Sequence, residues 1–399
     1  MKLDLDLLDA ETYRRGPPHA TFARMRREAP VCRQPEPNGP GFWALTCHAD
    51  VLAVSRDSAT YSSARAGYMT PDMDPMAVAQ SRLMLLGMDP PEHTRLRGLV
   101  NRGFTPRQVA RLEPRIRALS RSIVDAVAPR GACDFVTDVS GELPSLLIAE
   151  LMGIPPADGR RLYELTERMH QSGAPADTQA AVVEMLGYAA GVRSAKRARP
   201  GDDIASVLLQ AEIEGERLSD LEFDLFFLLL INAGGDTTRN LVASGMLALL
   251  AHPEQLAAVR ADRALLPGAI EEMLRFVPPV IQFRRTLTRD VELHGQKLRA
   301  GEKVVMFYPA ANRDEEVFAE PDRFDVRRAP NPHLAFGGGG AHYCLGANLA
   351  RLEIRCLFEE VLGRLADVEL AGPVERLHSW FIDGPRRMPV RFRAAPAAR

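Results

Sequence analysis

FGGGGAHYCLGANLA, Phe336 to Ala350, sets four consecutive glycines, Gly337 to Gly340, just before a lone cysteine that opens a helical pattern. Glycine runs cost conformational entropy and carry no packing surface, so this segment needs bare backbone, and the partner it implies is broad and flat. A thiolate is a strong ligand for iron. Backbone N–H groups around the sulfur tune its charge, and a glycine-rich turn supplies them without side-chain obstruction. The helix expected from about Gly346 points its positive end at the sulfur and favours the ionised form. Cys344 is thus built to be an anion. A nucleophilic cysteine and a phosphate-cradling loop are the competing readings, and the second lacks the Lys with Ser or Thr that should follow the glycines.

The rest of the chain sets the context. Its 399 residues carry an even apolar fraction of 46%, with no linker, low-complexity tract or repeat, which predicts one continuously folded domain, 1–399. The opening stretch, Met1 to Tyr13, alternates Leu with Asp and offers neither a signal peptide nor an anchor, so a cytoplasmic protein that does not engage a membrane is expected. Cys32, Cys47, Cys133, Cys344 and Cys356 are odd in number and never paired as CxxC, which disfavours a disulfide framework and a zinc site. A net charge of -2 gives no general reason to expect nucleic-acid binding. Arginine outnumbers lysine 46 to 4, a hint of a GC-rich bacterial genome.

Helical periodicity dominates, over 106–128, 139–153, 178–196, 219–251, 254–276 and 346–366, while strand-like runs are short and cluster near 41–46, 284–298, 303–307 and 389–392. The fold class expected is mainly α with small β-sheets. The clearest helix starts at Ser219, where Ser219 and Glu222 form a capping box before the apolar run Leu225 to Ile231. Its polar interruption, Asn232 to Asn240, argues against a membrane span.

That interruption carries chemistry. Gly234 and Gly235 each cost about 1 kcal/mol relative to alanine in mid-helix; small residues admit a ligand to the backbone, and a neighbouring carboxylate and hydroxyl can relay protons. A glycine kink with a solvated polar patch is the alternative. Glu272 and Arg275, three apart in EEMLRF, can pair, and PDRF, Pro321 to Phe324, keeps them company. In DPPEHTRLR, Asp89 to Arg97, the residues His93 and Arg97 fall on one helix face and could bind an anion.

Together these five motifs, which follow one another along the chain in the order that family has, resemble the soluble bacterial cytochromes P450 from about residue 20 to 393. The resemblance implies the fold of that family, with a long central helix over a haem b whose axial ligand is the Cys344 thiolate. It assigns His93, Arg97, Arg285 (rather than Arg284) and His342 to the haem propionates, with Phe336, Gly337, Gly346, Ala233 and Gly234 against the cofactor. Asp236 and Thr237 match the acid and alcohol pair that delivers protons to bound dioxygen, and Glu272, Arg275 and Arg323 match a structural ion network. The sequence departs from the pattern by one extra residue between Phe336 and Cys344, as in a subset that includes oxidisers of steroids and branched lipids, and by PDRF in place of PERF.

The activity implied is insertion of one oxygen atom of O2 into a C–H or C=C bond of an apolar small molecule, with electrons from NAD(P)H by way of ferredoxin reductase and ferredoxin. A peroxide-driven oxidant and a non-catalytic haem-based ligand binder are the alternatives. Met84, Leu85, Leu86, Val280, Ile281, Phe283, Trp380 and Phe381 are expected to line the substrate pocket, and Asn232 to hydrogen-bond a polar group on the substrate, since a buried amide without a partner costs about 1–3 kcal/mol. Arg107, Arg111, Arg115, Arg351 and Arg355 are candidates to steer an acidic ferredoxin. A monomer is expected.

Overall fold

Ser219 starts the longest helix as its capping box predicts. The Ser219 amide donates to Glu222 Oε2 at 2.8 Å and the Glu222 amide to Ser219 Oγ at 3.2 Å. The helix runs Asp220–Ala251, about 48 Å at 1.5 Å per residue. This is a computed structural model, and it describes residues 4–101, 103–170, 175–213 and 215–395. It is 54% helical with small sheets, the mainly α class that the periodicity gives.

Two compact units are each assembled from three stretches. The first comprises Met1–Leu96, Glu271–Cys344 and Leu377–Asp383. Its five-stranded sheet runs in the order Val31–Gln34, Phe42–Leu45, Lys303–Phe307, Gln282–Leu287 and Tyr61–Ser62. Val305 pairs antiparallel with Arg284, and Val304 parallel with Trp43. Side chains alternate across a strand, so Arg284 and Arg285 leave Gln282–Leu287 on opposite faces. One apolar cluster gathers Phe22, Phe42, Ile281 and Phe307 against this sheet, each aromatic contributing about 1.5–3 kcal/mol by burial.

The second unit comprises Arg97–Ile270, Leu345–Arg376 and Gly384–Arg399. Here the long central helix packs on Glu142–Met152, Pro156–His170 and Pro175–Ala198, and the helix Pro106–Val127 packs on Ala347–Arg364. A three-stranded sheet orders Leu365–Leu370, Pro389–Ala394 and Ala132–Asp134.

Several elements differ from the periodicity, among them the helices His19–Glu28, His48–Arg56 and Ile204–Gln210, which it does not mark. The helix expected over 254–276 is broken into Pro253–Ala261 and Leu266–Phe276, because Asp262 turns extended and its carboxylate takes the Ala264 amide at 2.9 Å. The helix Pro156–His170 lies outside the expected segments, although Leu162, Leu165 and Met169 recur at helical spacing and a proline stands at its first position. Among the described residues no helix is long and apolar enough to cross a membrane.

Candidate haem and catalytic site

The glycine run is bare for a reason that its own sequence does not contain. Gly337, Gly339 and Gly340 have φ of 88°, 91° and 74°, the left-handed region that a side chain resists. A Cβ on Gly338 would stand 2.9 Å from Ser55 Cβ, and one on Gly340 2.4 Å from the Ser55 carbonyl oxygen. The helix His48–Arg56 therefore backs onto two of the four glycines, so these two are bare for an α-helix rather than for the flat partner that the run suggests. Arg56 Nε donates to the Gly338 carbonyl at 2.9 Å and closes that contact.

Cys344 lies half-buried at the end of this loop, its amide donating to the Phe336 carbonyl at 3.0 Å. The Gly337 amide goes to Leu334 O at 2.9 Å, so neither amide is left for the sulfur. The helix Ala347–Arg364 starts three residues on, with Gly346 as its N-cap and no side-chain cap. Four further cysteines are free thiols. Burial pushes Cys47 and Cys133 up to about 12 and Cys356 to about 11, and Cys32 accepts the Gln34 amide at 2.9 Å.

Support for the loop descends from a buried ion network. Glu272 and Arg275 are both fully buried and joined by two hydrogen bonds of 2.8 Å. Arg275 also donates to the carbonyls of Asn312 at 3.0 Å, Pro321 at 2.8 Å and Arg323 at 3.0 Å. Asn312 Oδ1 in turn takes the Leu334 amide at 2.7 Å, which carries the network to the residue that fixes Gly337. The assignment of the Arg323 side chain to this network is corrected. That side chain is 56% exposed and pairs with Glu320, and only its carbonyl takes part. The second guanidinium is Arg328, whose Nε lies 3.2 Å and 3.3 Å from the two Glu272 oxygens, with Asn331 and the Asp325 amide completing the carboxylate at 3.1 Å and 2.9 Å.

In the same unit lie three of the four expected anion ligands, two of them side by side. The rings of His93 and His342 lie 4.4 Å apart, and Ser63 Oγ is 3.3 Å from His342 Nε2. Asp89 fastens this corner by accepting the amides of Ser63 at 2.9 Å and Ala64 at 3.3 Å. Arg285 is buried, donates to the Arg284 carbonyl at 2.7 Å, and has its pKa pushed down by that burial. Arg284, on the other face, is taken by Asp72 at 2.9 Å. The fourth, Arg97, follows His93 by one turn on the helix Glu92–Asn101.

The central helix brings its own set in the second unit. Ala233 is exposed and Thr237 half-buried, a small accessible face between buried neighbours. The Thr237 hydroxyl donates to the Ala233 carbonyl at 2.7 Å, a bond that competes with the helix ladder. Asp236 is buried, with Arg239 Nη2 3.9 Å away. A Cβ on Gly235 would meet the Tyr163 ring at 3.4 Å and one on Gly234 would meet Ile148 at 3.6 Å, so both glycines face side chains of neighbouring helices. Asn232 donates to Leu228 O at 2.9 Å, while its Oδ1 is sealed and meets no partner.

Of the expected pocket residues, Met84, Leu86, Val280, Phe283, Trp380 and Phe381 are half-buried, Leu85 is buried, and Ile281 sits wholly inside the apolar cluster beside the sheet. Among the arginines, Arg107 and Arg111 are exposed, whereas Arg115 pairs with Glu150 at 3.2 Å and Arg355 with Glu113 at 3.0 Å.

Residues 188–370 match the family model for cytochrome P450. A putative cytochrome P450 126 of Mycobacterium tuberculosis is 42% identical over 98% of this chain and 97% of its own length. A steroid C26-monooxygenase of Mycolicibacterium smegmatis is 40% identical over 99% and 95%. The structure of Mycobacterium marinum cytochrome P450 CYP268A2 in complex with pseudoionone superposes with a TM-score of 0.91 at 38% identity, covering 98% of this chain and 99% of that one. A helical fold with small sheets and a glycine-looped cysteine is thereby placed among the haem-thiolate proteins, and the chain belongs to the cytochrome P450 family. It is a P450 monooxygenase, whose cofactor is haem b held by a cysteine thiolate. The residues present fit that group. Arg285 is a sealed guanidinium with no carboxylate ion pair among the described residues, a demand for an anion that a propionate meets.

Proposed function

We propose that this monooxygenase hydroxylates a steroid or lipid in the cytoplasm, as a monomer, with electrons delivered by a ferredoxin and its reductase. Cys344 would hold the iron, and His93, Arg97, Arg285 and His342 the propionates. When bound, thiolate-ligated haem uses O2, two electrons and two protons to place one oxygen atom in a C–H bond and release the other as water.

The protein's part is positioning and proton supply. Asp236 carries a proton toward the accessible face of the central helix, and the Thr237 hydroxyl, turning from the Ala233 carbonyl, hands it on. Phe283, Phe381 and Trp380 offer apolar walls that keep water from the reacting carbon, and Asn232, on turning its side chain to uncover the sealed Oδ1, would offer an acceptor to a donor group on the substrate. The observation that carries the reading is a buried Asp236 next to Thr237, which borders the accessible face at Ala233 of the central helix, because a ligand sensor has no use for proton supply. The relatives named for steroid oxidation support the substrate class.

The test compares product formed from steroids and long-chain lipids with ferredoxin, reductase and NAD(P)H against product formed with peroxide alone. The reductase arm is expected to dominate. Turnover by peroxide alone, or substrate binding without product in either arm, would replace this reading by one of its alternatives.

A further inference from the structure

Tyr68 has no part in the networks described above, yet it is held with unusual firmness. Its carbonyl takes the Arg284 amide at 2.9 Å. The residues just after it are pinned by a cluster of four charges. Arg284 donates to Asp72 at 2.9 Å and to the Thr70 carbonyl at 3.3 Å, while Lys303 pairs with Asp72 at 3.0 Å and with Glu36. Arg284 and Lys303 are each 2% exposed. The Thr70 hydroxyl adds a bond of 3.1 Å to Gln282.

The ring of Tyr68 stands edge-on to Phe283, with centroids 6.2 Å apart. Phe283 meets Phe381 at 5.4 Å, and Trp380 flanks Phe381 at 6.2 Å. The phenol is deep, and desolvation pushes its pKa up, so it remains an O–H near neutral pH. The residue nonetheless keeps accessible surface, and its hydroxyl makes no hydrogen bond to any described residue. The hydroxyls of Tyr13 and Tyr188 are used within the fold, by Leu7 O at 3.0 Å and Asp158 at 2.6 Å, whereas those of Tyr61, Tyr308 and Tyr68 hydrogen-bond no described residue, and of these three Tyr68 keeps the most accessible surface. A deep phenol that bonds no described residue yet keeps accessible surface, in a fixed backbone beside an aromatic wall, is placed to take a hydrogen-bonding partner from outside the chain.

We propose that Tyr68 is a specificity-determining residue whose hydroxyl bonds a ketone or alcohol oxygen on an otherwise apolar substrate, with Phe283, Phe381 and Trp380 against the hydrocarbon body. This rests on the proposed function and sharpens its substrate class by one oxygen atom. A neutral phenol can donate to a ketone and can donate to or accept from an alcohol, but it cannot compensate a full charge, so carboxylates are disfavoured at this position. Because the backbone is pinned, the hydroxyl cannot follow a substrate whose oxygen lies elsewhere, and fixed geometry gives discrimination.

The test is Tyr68→Phe in the haem-loaded protein, titrated spectroscopically with two matched pairs: progesterone against pregnane, and hexadecanol against hexadecane. The wild-type protein should prefer the oxygenated member of at least one pair. Tyr68→Phe should weaken that member about three- to tenfold, leave the hydrocarbon within about twofold, and leave the melting temperature of the ligand-free protein unchanged, since no internal bond is lost. Undiminished discrimination in the variant overturns the inference alone, as does a lower melting temperature with all probes weakened alike. Failure of the wild-type protein to bind any of the four compounds sinks the substrate class, and the inference falls with it.

Discussion

Two acid–arginine pairs with the same three-residue spacing sit on two helices and are built for different work. Glu272 and Arg275 are sealed and joined twice at 2.8 Å. Asp236 and Arg239 are nearly as buried, at 5% and 4% exposure, but stand 3.9 Å apart, beyond hydrogen-bond reach. Spacing alone puts each pair on one face; the surroundings decide whether it closes. Glu272 is met from outside its helix by Arg328, Asn331 and the Asp325 amide, so both partners are locked by third parties. Arg239 is drawn instead toward the Tyr163 ring, 5.1 Å from its centroid, and toward Asn240 at 3.3 Å, and burial pushes its pKa down to about 10. One pair is scaffold beneath the cysteine loop. The other holds a cation 3.9 Å from the acid proposed to supply protons.

The largest effect expected from this contrast is on stability. Glu272→Ala leaves two guanidinium groups buried without their carboxylate and should cost about 3–5 kcal/mol in denaturant unfolding. Arg328→Ala should cost about 2–3 kcal/mol, and Arg323→Ala, which loses only an exposed pair, less than about 0.5 kcal/mol. A reversed order for the two arginines would break the corrected network.

Arg239→Met should cost less stability than Arg275→Met, yet lower the product formed per NAD(P)H consumed by roughly tenfold. Arg239→Lys should recover part of that loss. Full coupling in the methionine variant would make the second pair a scaffold like the first.

A smaller effect concerns pH. Glu353 is fully buried in the second unit, its Oε2 meets no partner, and desolvation raises its pKa from 4.5 to about 8. The folded protein then keeps a proton that the unfolded chain has lost, so this group's stabilising contribution is complete below 4.5 and declines as pH rises toward 8. Glu353→Gln should flatten that decline in urea unfolding measured across the interval. An unchanged slope would mean that the carboxyl is already ionised in the fold.

Much of this was legible in the chain. Ser219 and Glu222 announced the central helix, and the glycines announced Cys344, because both signals are local. The second guanidinium on Glu272 was not, since PDRFDVRR offers Arg323, Arg327 and Arg328 within six residues and only the folded turn decides which one faces Glu272. The purpose of Gly338 and Gly340 was hidden as well, because Ser55 lies far away in sequence. Tyr68 carries no motif at all, and its role rests on a missing hydrogen bond that only a folded structure displays.

The claim beneath all of this is that the Cys344 sulfur binds haem iron as a thiolate. The carbon monoxide difference spectrum of the dithionite-reduced protein tests it most directly, measured beside Cys344→Ser. The account predicts the strongly red-shifted Soret band of a thiolate-ligated haem in the wild-type protein and its loss in the variant. A globin-like band in the wild-type protein, or the red-shifted band persisting in Cys344→Ser, would contradict it.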